Sequence, residues 1–334
     1  MNGTCLITGA SGFIGGHLTR RLVVEGRRVR CLVRATSDTS QLRGLDVELV
    51  EGDLQAPESL TRALSGCEVV FHCAAMVSDW ATIEEITRVN VQGTENIVRA
   101  ALAASVRRFV HVSTTDVYGY RGEEAIDESY GHRRFSNWYA QTKLGAERAI
   151  WRAHTRDGLQ AVILRPATVY GPGSREVVGE IARALRAGNM LLIGGGRVTA
   201  GLVYVDNVVD AATLAADHDD APGQAFNVTD GLPVTWRQFT DDLAAGLGCP
   251  PARWSLPAPV AGSLAFTLEH GYRALRRRTG VGMRPLLSRQ AVHVLGRHQH
   301  FSNAKLRATL GWEPRTGYPD GLASTVAWLT SEGY

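Results

Sequence analysis

Short apolar and β-branched runs alternate with helical patterning through the first half of the chain. Residues 4–8 read as a strand and 12–25 as a helix. The rhythm then repeats. Strands are predicted at 28–34 and 47–51, a helix at 57–64, a strand at 69–73 and a long helix at 83–103. A fifth strand at 109–113, a helix at 136–155 and a strand at 161–165 complete this half. Strands separated by helices are joined by right-handed crossovers and run parallel, with helices on both faces. The expected fold class is α/β, a doubly wound parallel sheet of Rossmann type with a smaller C-terminal α/β lobe that binds substrate.

Beyond residue 172 the spacing changes. A helix is expected at 177–187, strands at 191–193 and 202–205, a helix at 208–216, a strand at 225–228 and a helix at 236–245. Proline thickens across 250–259, which reads as a loop. A helical pattern at 260–278 and terminal helices follow. The expected division is a dinucleotide-binding domain over 1–172, with returning segments near 203–230, and a substrate lobe over 173–334.

Composition narrows the class. With 334 residues the chain is long enough for a full core, and 44% hydrophobic against 21% charged residues excludes extensive disorder. A net charge of +3 is small and gives no case for nucleic acid, which needs basic residues gathered on one face. The five cysteines include no Cys-x-x-Cys pair, and Cys5, Cys31 and Cys73 lie in strand-like runs, so reduced thiols and a cytoplasmic setting are expected. The chain opens directly into strand patterning, and no apolar run approaches the ~20 residues of a bilayer span. Neither a secretory leader nor stable membrane insertion is expected.

The first strand-to-helix junction carries Thr8-Gly9-Ala10-Ser11-Gly12-Phe13-Ile14-Gly15. Such a turn allows close backbone approach to a pyrophosphate and aims the helix N-terminus at it. Gly9, Ser11, Gly12, Phe13, Ile14 and Gly15 are therefore candidate cofactor-binding residues. NAD sites usually place an acid at the end of the second strand, for the ribose 2′-hydroxyl. Here Arg34 stands there, and a guanidinium suits a 2′-phosphate. NADP(H) is preferred, with NAD(H) the alternative. Asp53 and Leu54 follow the third strand, where the acid can accept from an adenine amino group. In the segment after the fourth strand, Ala74 is small enough for a cofactor to lie on the backbone, while His72 reads as a buried, satisfied histidine.

Tyr139 and Lys143 are four residues apart on a helix and share a face. An ammonium beside a phenol lowers the phenol pKa and prepares it for proton transfer. Ser113, Thr114 and Thr115 end the fifth strand, where a hydroxyl can hold a substrate oxygen.

These segments, with Asn90-Val91-Gln92-Gly93-Thr94, Asp116-Val117-Tyr118-Gly119, Arg165-Pro166 and Val203-Tyr204-Val205-Asp206, resemble the extended short-chain dehydrogenase/reductases. The resemblance implies Thr114 (four before Tyr118), Tyr139 and Lys143 as the catalytic set. It makes Ser113 a cofactor-side neighbour of Thr114, sets Asn90 beside the cofactor pocket and adds Pro166 to its lining. Pro285-Leu286-Leu287-Ser288-Arg289, His300-Phe301-Ser302-Asn303-Ala304-Lys305 and Leu310-Gly311-Trp312-Glu313-Pro314 are similar to the 3β-hydroxysteroid dehydrogenase/isomerase-like branch. By that likeness the helix near 260–278 is a lid or wall of a lipophilic pocket rather than a membrane anchor, and a homodimer is expected. The long membrane-spanning stretch of many steroid-acting relatives is absent from this sequence.

The expected function is an NADP(H)-dependent ketoreductase or alcohol dehydrogenase of a hydrophobic, cyclic, steroid- or terpenoid-like substrate, with no metal. The alternative is a nucleotide-sugar epimerase or dehydratase holding NAD tightly. A non-catalytic redox-sensing protein is a third reading, disfavoured because Tyr139 and Lys143 are both present.

Overall fold

The computed structural model describes residues 3–78, 81–119, 125–131, 137–279 and 288–334, with the backbone alone over 273–279. The strands are β1 (Thr4–Thr8), β2 (Arg28–Val33), β3 (Glu48–Glu51), β4 (Cys67–His72), β5 (Arg108–Val112), β6 (Ala161–Pro166), β7 (Thr168–Tyr170), β8 (Leu191–Ile193), β9 (Leu202–Tyr204), β10 (Gln224–Val228) and β11 (Trp254–Leu256). The helices of the first half are α1 (Phe13–Val24), α2 (Pro57–Leu64), α3 (Ile83–Thr87), α4 (Gly93–Ala103) and α5 (Trp138–Asp157). Those that follow are α6 (Glu180–Arg186), α7 (Val205–Asp217), α8 (Trp236–Gly246), α9 (Ala258–Thr279), α10 (Arg289–Gly296), α11 (Ala304–Leu310) and α12 (Tyr318–Ser331).

Seven strands form one parallel sheet in the order β10-β6-β5-β4-β1-β2-β3. The chain winds from β1 outward to β3, then returns to β4 on the other side of β1. That reversal opens a crevice beyond the carboxyl ends of β1 and β4, where ligands of such sheets bind. Two further parallel pairs, β7 with β9 and β8 with β11, lie outside this sheet.

Alternation along each strand builds two cores. Ile7 and Val110 face one side, with Leu18 and Leu22 of α1 and Val208, Val209 and Ala212 of α7. Leu6 and Phe109 face the other, with Leu60 of α2, Ile97 of α4 and Ile150 of α5. Each such buried side chain larger than alanine contributes about 1.5–3 kcal/mol. A third cluster gathers Tyr170, Leu192, Trp236 and Phe239 beneath the later part of the chain. Helix α9 buries Ala261 and Ala265 against Ile193 and Val292, and leaves Val260, Leu264, Phe266 and Leu268 exposed. Among the described residues no helix is long and apolar enough to cross a membrane.

The helix expected at 83–103 is divided: a π turn, Arg88–Gln92, separates α3 from α4. A π turn adds about one residue per turn, which apolar spacing over so short a stretch cannot distinguish from an α turn. The 250–259 segment is not all loop, because Trp254–Leu256 pairs with β8. Ser136 and the Pro285-Leu286-Leu287 part of the C-terminal motif lie outside the described residues.

Candidate active site

The glycine turn is built by backbone contact. Gly9 has φ +72°, and a Cβ there would meet the amide nitrogen of Ala74 at 2.7 Å. A Cβ at Gly15 would overlap the carbonyl oxygen of Gly9. Hence β1, α1 and the segment after β4 close together only with glycine at these positions. The amide of Gly12 donates to Gly9 O at 2.9 Å. Gly12 offers no side-chain cap to α1 and the first turn holds no acid, so nothing competes with an anion for its free N–H groups. Ser11, Phe13 and Ile14 complete the turn, and a Cβ at Gly173 would meet the Phe13 ring at 3.3 Å. Gln41 Nε2 donates to Ser11 O at 2.8 Å, tying the turn to the chain after β2.

Arg34 follows β2 and is exposed. Its backbone N–H donates to Ser37 Oγ, and its guanidinium has no partner among the described residues. Asp53 acts partly as a turn former: Oδ1 accepts from the Gln55 amide at 2.8 Å. Leu54 is buried in the second core.

His72 is fully enclosed, with Nδ1 2.7 Å from Thr8 Oγ1 and Nε2 3.0 Å from Thr94 Oγ1. Burial, then the Lys143 charge, press its pKa down to about 3, so it is a neutral structural group as read from sequence. Asn90 sits in the π turn and points inward. Its Oδ1 accepts from Met76 N at 2.7 Å, and its Nδ2 donates to Met76 O at 3.1 Å and to Thr142 Oγ1 at 3.1 Å. It therefore staples the segment after β4 to α5.

Asn137 caps α5, accepting from Ala140 N, so Tyr139 falls in the first turn and Lys143 one turn later. Lys143 is buried, and its Nζ donates to Val112 O at 2.6 Å and to His111 Nε2 at 3.2 Å. The ammonium thus lies at the carboxyl end of β5, next to Ser113 and Thr114. Burial lowers its pKa to about 8, against opposing effects of Glu147 and Cys73.

This differs from one expectation. The Tyr139 phenol is not made more acidic: enclosure of the ring, then the negative charge of Asp116, raise its pKa. The ammonium is turned toward a strand carbonyl and an imidazole, which satisfy it more directly than a phenol would.

The strand-end hydroxyls have separate duties. Ser113 Oγ donates to Glu147 Oε1 at 2.5 Å, so its side chain belongs to a buried network. In that network Glu147 accepts from Arg165 Nε at 3.0 Å and Nη2 at 2.6 Å, and Arg165 also donates to Tyr118 Oη at 2.7 Å. Pro166 follows Arg165 and is buried at the end of β6. Thr114 Oγ1 accepts from the Asp116 amide at 3.1 Å, which leaves its own O–H available to donate. Thr115 is buried.

Sequence reading passed over His111, Glu147 and the Arg165 ion pair. It also passed over Asp116, whose Oδ2 accepts from Gln290 Nε2 of α10 at 3.1 Å. His17, which bridges Asp206 Oδ1 and Pro172 O at 2.8 Å each, was a further omission. A polar residue inside an apolar strand, as at 111 and 165, is the one signal that marks two of them.

A nucleotide crevice at the sheet reversal, with a tyrosine and a buried lysine on the helix beside it, defines an NAD(P)-dependent oxidoreductase. Comparison with known proteins agrees. Residues 5–229 match the NAD dependent epimerase/dehydratase family. The chain belongs to that family, the extended short-chain dehydrogenase/reductases. It is 33% identical over 319 residues to a 4-hydroxy-2-methyl-3-oxo-4-farnesyl-3,4-dihydroquinoline-1-oxide ketoreductase of Stigmatella aurantiaca, covering 95% of this chain and 93% of that one. It is 30% identical to a 3-beta-hydroxysteroid dehydrogenase of Mycolicibacterium neoaurum, covering 98% and 92%. Among solved structures, DesIV, a dTDP-glucose 4,6-dehydratase from Streptomyces venezuelae with NAD and TYD bound, superposes with a TM-score of 0.80 at 26% identity over 98% of this chain and 97% of that one.

Proposed function

We propose that the protein is an NADP(H)-dependent ketoreductase, or an alcohol dehydrogenase in the reverse direction, acting on a hydrophobic cyclic substrate of steroid or terpenoid type. The observation that carries this reading is the Lys143 ammonium 2.6 Å from Val112 O, at the strand end that also presents Thr114. Two relatives named for a farnesylated quinoline oxide and a steroid support the substrate class.

The residues present fit a dinucleotide. Gly9, Ser11, Gly12, Phe13, Ile14 and Gly15 would hold the pyrophosphate, and Asp53 and Leu54 the adenine side. Ala74, Asn90, Ser113 and Pro166 would flank the other end. Arg34, whose guanidinium is unengaged among the described residues, supports NADP(H). When bound, the nicotinamide supplies or accepts the hydride. The chain does the rest. The hydroxyls of Thr114 and Tyr139 hold the ketone oxygen, and the Tyr139 phenol passes its proton to that oxygen as the carbonyl carbon gains the hydride. An ammonium has three N–H donors and Lys143 spends two on Val112 and His111, so one is left for the ribose and the phenol side.

Turnover is tested with NADPH against ketosteroids, terpenoid ketones and polyketide-type ketones, with NADH alongside. Tyr139→Phe should lose about 10²–10⁴-fold in kcat with NADPH affinity retained; full turnover in that variant would overturn the reading. Arg34→Glu should lose about 10–100-fold in kcat/KM for NADPH, the worth of a charge-assisted contact, and little for NADH. The family match also supports a nucleotide-sugar epimerase or dehydratase, and NAD retained through purification would favour it over exchangeable NADPH.

A homodimer in the cytoplasm completes the proposal. The homodimer rests on the family resemblance, and five free cysteines suit a reducing compartment. Light scattering of the purified protein reads the mass.

A further inference from the structure

The proposed mechanism uses Lys143 but not the groups beneath it. Lys143 is 2% exposed, yet no ion pair holds it among the described residues. The carboxylate one turn along α5, Glu147, is already matched by Arg165 of β6 through two hydrogen bonds. The remaining titratable neighbours are neutral. Cys73, after β4, is a thiol pushed up to about 12 by burial. His72 of β4 is uncharged, and the phenol of Tyr139, with Asp116 beyond it, is disfavoured as an anion. A buried ammonium in such surroundings depends on neutral acceptors.

Two are in place, Val112 O at 2.6 Å and His111 Nε2 at 3.2 Å. His111 is opposite His72 in the β4–β5 register, and the rings stack with centroids 5.1 Å apart and planes 30° apart. His72 is locked by Thr8 and Thr94, so it fixes the plane on which His111 lies. While Lys143 is an ammonium it only donates, which leaves Nε2 as the lone pair and sets the ring proton on Nδ1, a buried atom with no hydrogen-bond partner among the described residues.

We propose that His111 is a positioning residue: its Nε2 lone pair holds the Lys143 ammonium at the carboxyl edge of β5, where proton transfer through Tyr139 needs it. This rests on the ketoreductase reading for its purpose, but not for its test. Burial and the Lys143 charge hold the His111 pKa well below the ordinary histidine value, so the acceptor persists across the working pH range.

The sequence makes the test unusually direct, because Lys143 and Lys305 are its only lysines. Protein labelled with [13Cε]lysine gives two resonances, and Lys305→Arg identifies them. The Lys143 resonance should titrate near pH 8. His111→Leu removes one acceptor and should move that midpoint down by about one to two pH units, the worth of a hydrogen bond to a charged group. His111→Gln, which returns an acceptor close to the Nε2 position, should restore it. The alkaline limb of kcat should follow the same two shifts, while KM for the ketone changes little. An unmoved midpoint in His111→Leu overturns the proposal. So does a long-range 15N–1H spectrum of the unaltered protein that puts the His111 proton on Nε2, a measurement that needs no variant to fold. If the midpoint shifts while Tyr139→Phe still turns over, the ketoreductase reading fails and the positioning of Lys143 stands.

Discussion

Glu147→Ala isolates the buried ion pair that backs the site. Side-chain exposures of 5% for Arg165 and 1% for Glu147 leave no water to take over when the carboxylate goes. Arginine cannot shed its proton, so the variant retains a buried, uncompensated guanidinium, together with a Ser113 hydroxyl robbed of its acceptor. Removing one partner of such a pair costs about 3–5 kcal/mol. For 334 residues the entropy of unfolding near the melting temperature is about 0.7 kcal/mol/K, so the melting temperature should fall by about 4–7 °C. Glu147→Gln keeps one oxygen for Arg165 and should lose less. The charge of Glu147 also favours the Lys143 ammonium, so its removal should carry the lysine titration to lower pH. Scanning calorimetry and circular dichroism at fixed scan rate read the first effect, and the labelled lysine the second. A melting temperature within about 1 °C of the parent would refute the premise that this pair is desolvated and mutually dependent.

Gly9→Ala must place a methyl against the Ala74 backbone at a positive φ, so NADPH binding, followed by fluorescence titration, should weaken at least tenfold while the far-UV spectrum is kept. Asp116→Asn removes a charge that disfavours the Tyr139 phenolate; the phenol pKa should drop, and the acid limb of alcohol oxidation, which needs that phenolate, should move to lower pH in the pH–kcat profile. Asn90→Ala cuts the staple between Met76 and Thr142, and should raise the hydrogen-exchange rate of the Met76 amide at an unchanged global stability to within about 2 kcal/mol.

What could be read from the residues alone was whatever local pattern dictates. Short apolar and β-branched runs located β1 through β6, and the glycine spacing located the turn whose geometry excludes a Cβ at 9 and 15. The Tyr139–Lys143 interval located a shared helix face. What could not be read depends on register between distant strands. That His111 lies beside His72, or that Arg165 meets Glu147, follows only once β4, β5 and β6 are aligned with α5. The direction of the Lys143 amine belongs to the same class, since the nearest acceptor is a backbone carbonyl that every residue carries. The π turn at Arg88–Gln92 escaped for a different reason: it changes phase by one residue without altering composition.

With lysine confined to positions 143 and 305, a lysine-specific endoprotease finds two target bonds, one within α5 and one within α11. Neither can enter a protease cleft until its helix unwinds. Cleavage after Lys143 therefore clocks the opening of the segment that bears the chemistry, and the dependence of that rate on added dinucleotide converts directly into the free energy by which the ligand keeps it shut.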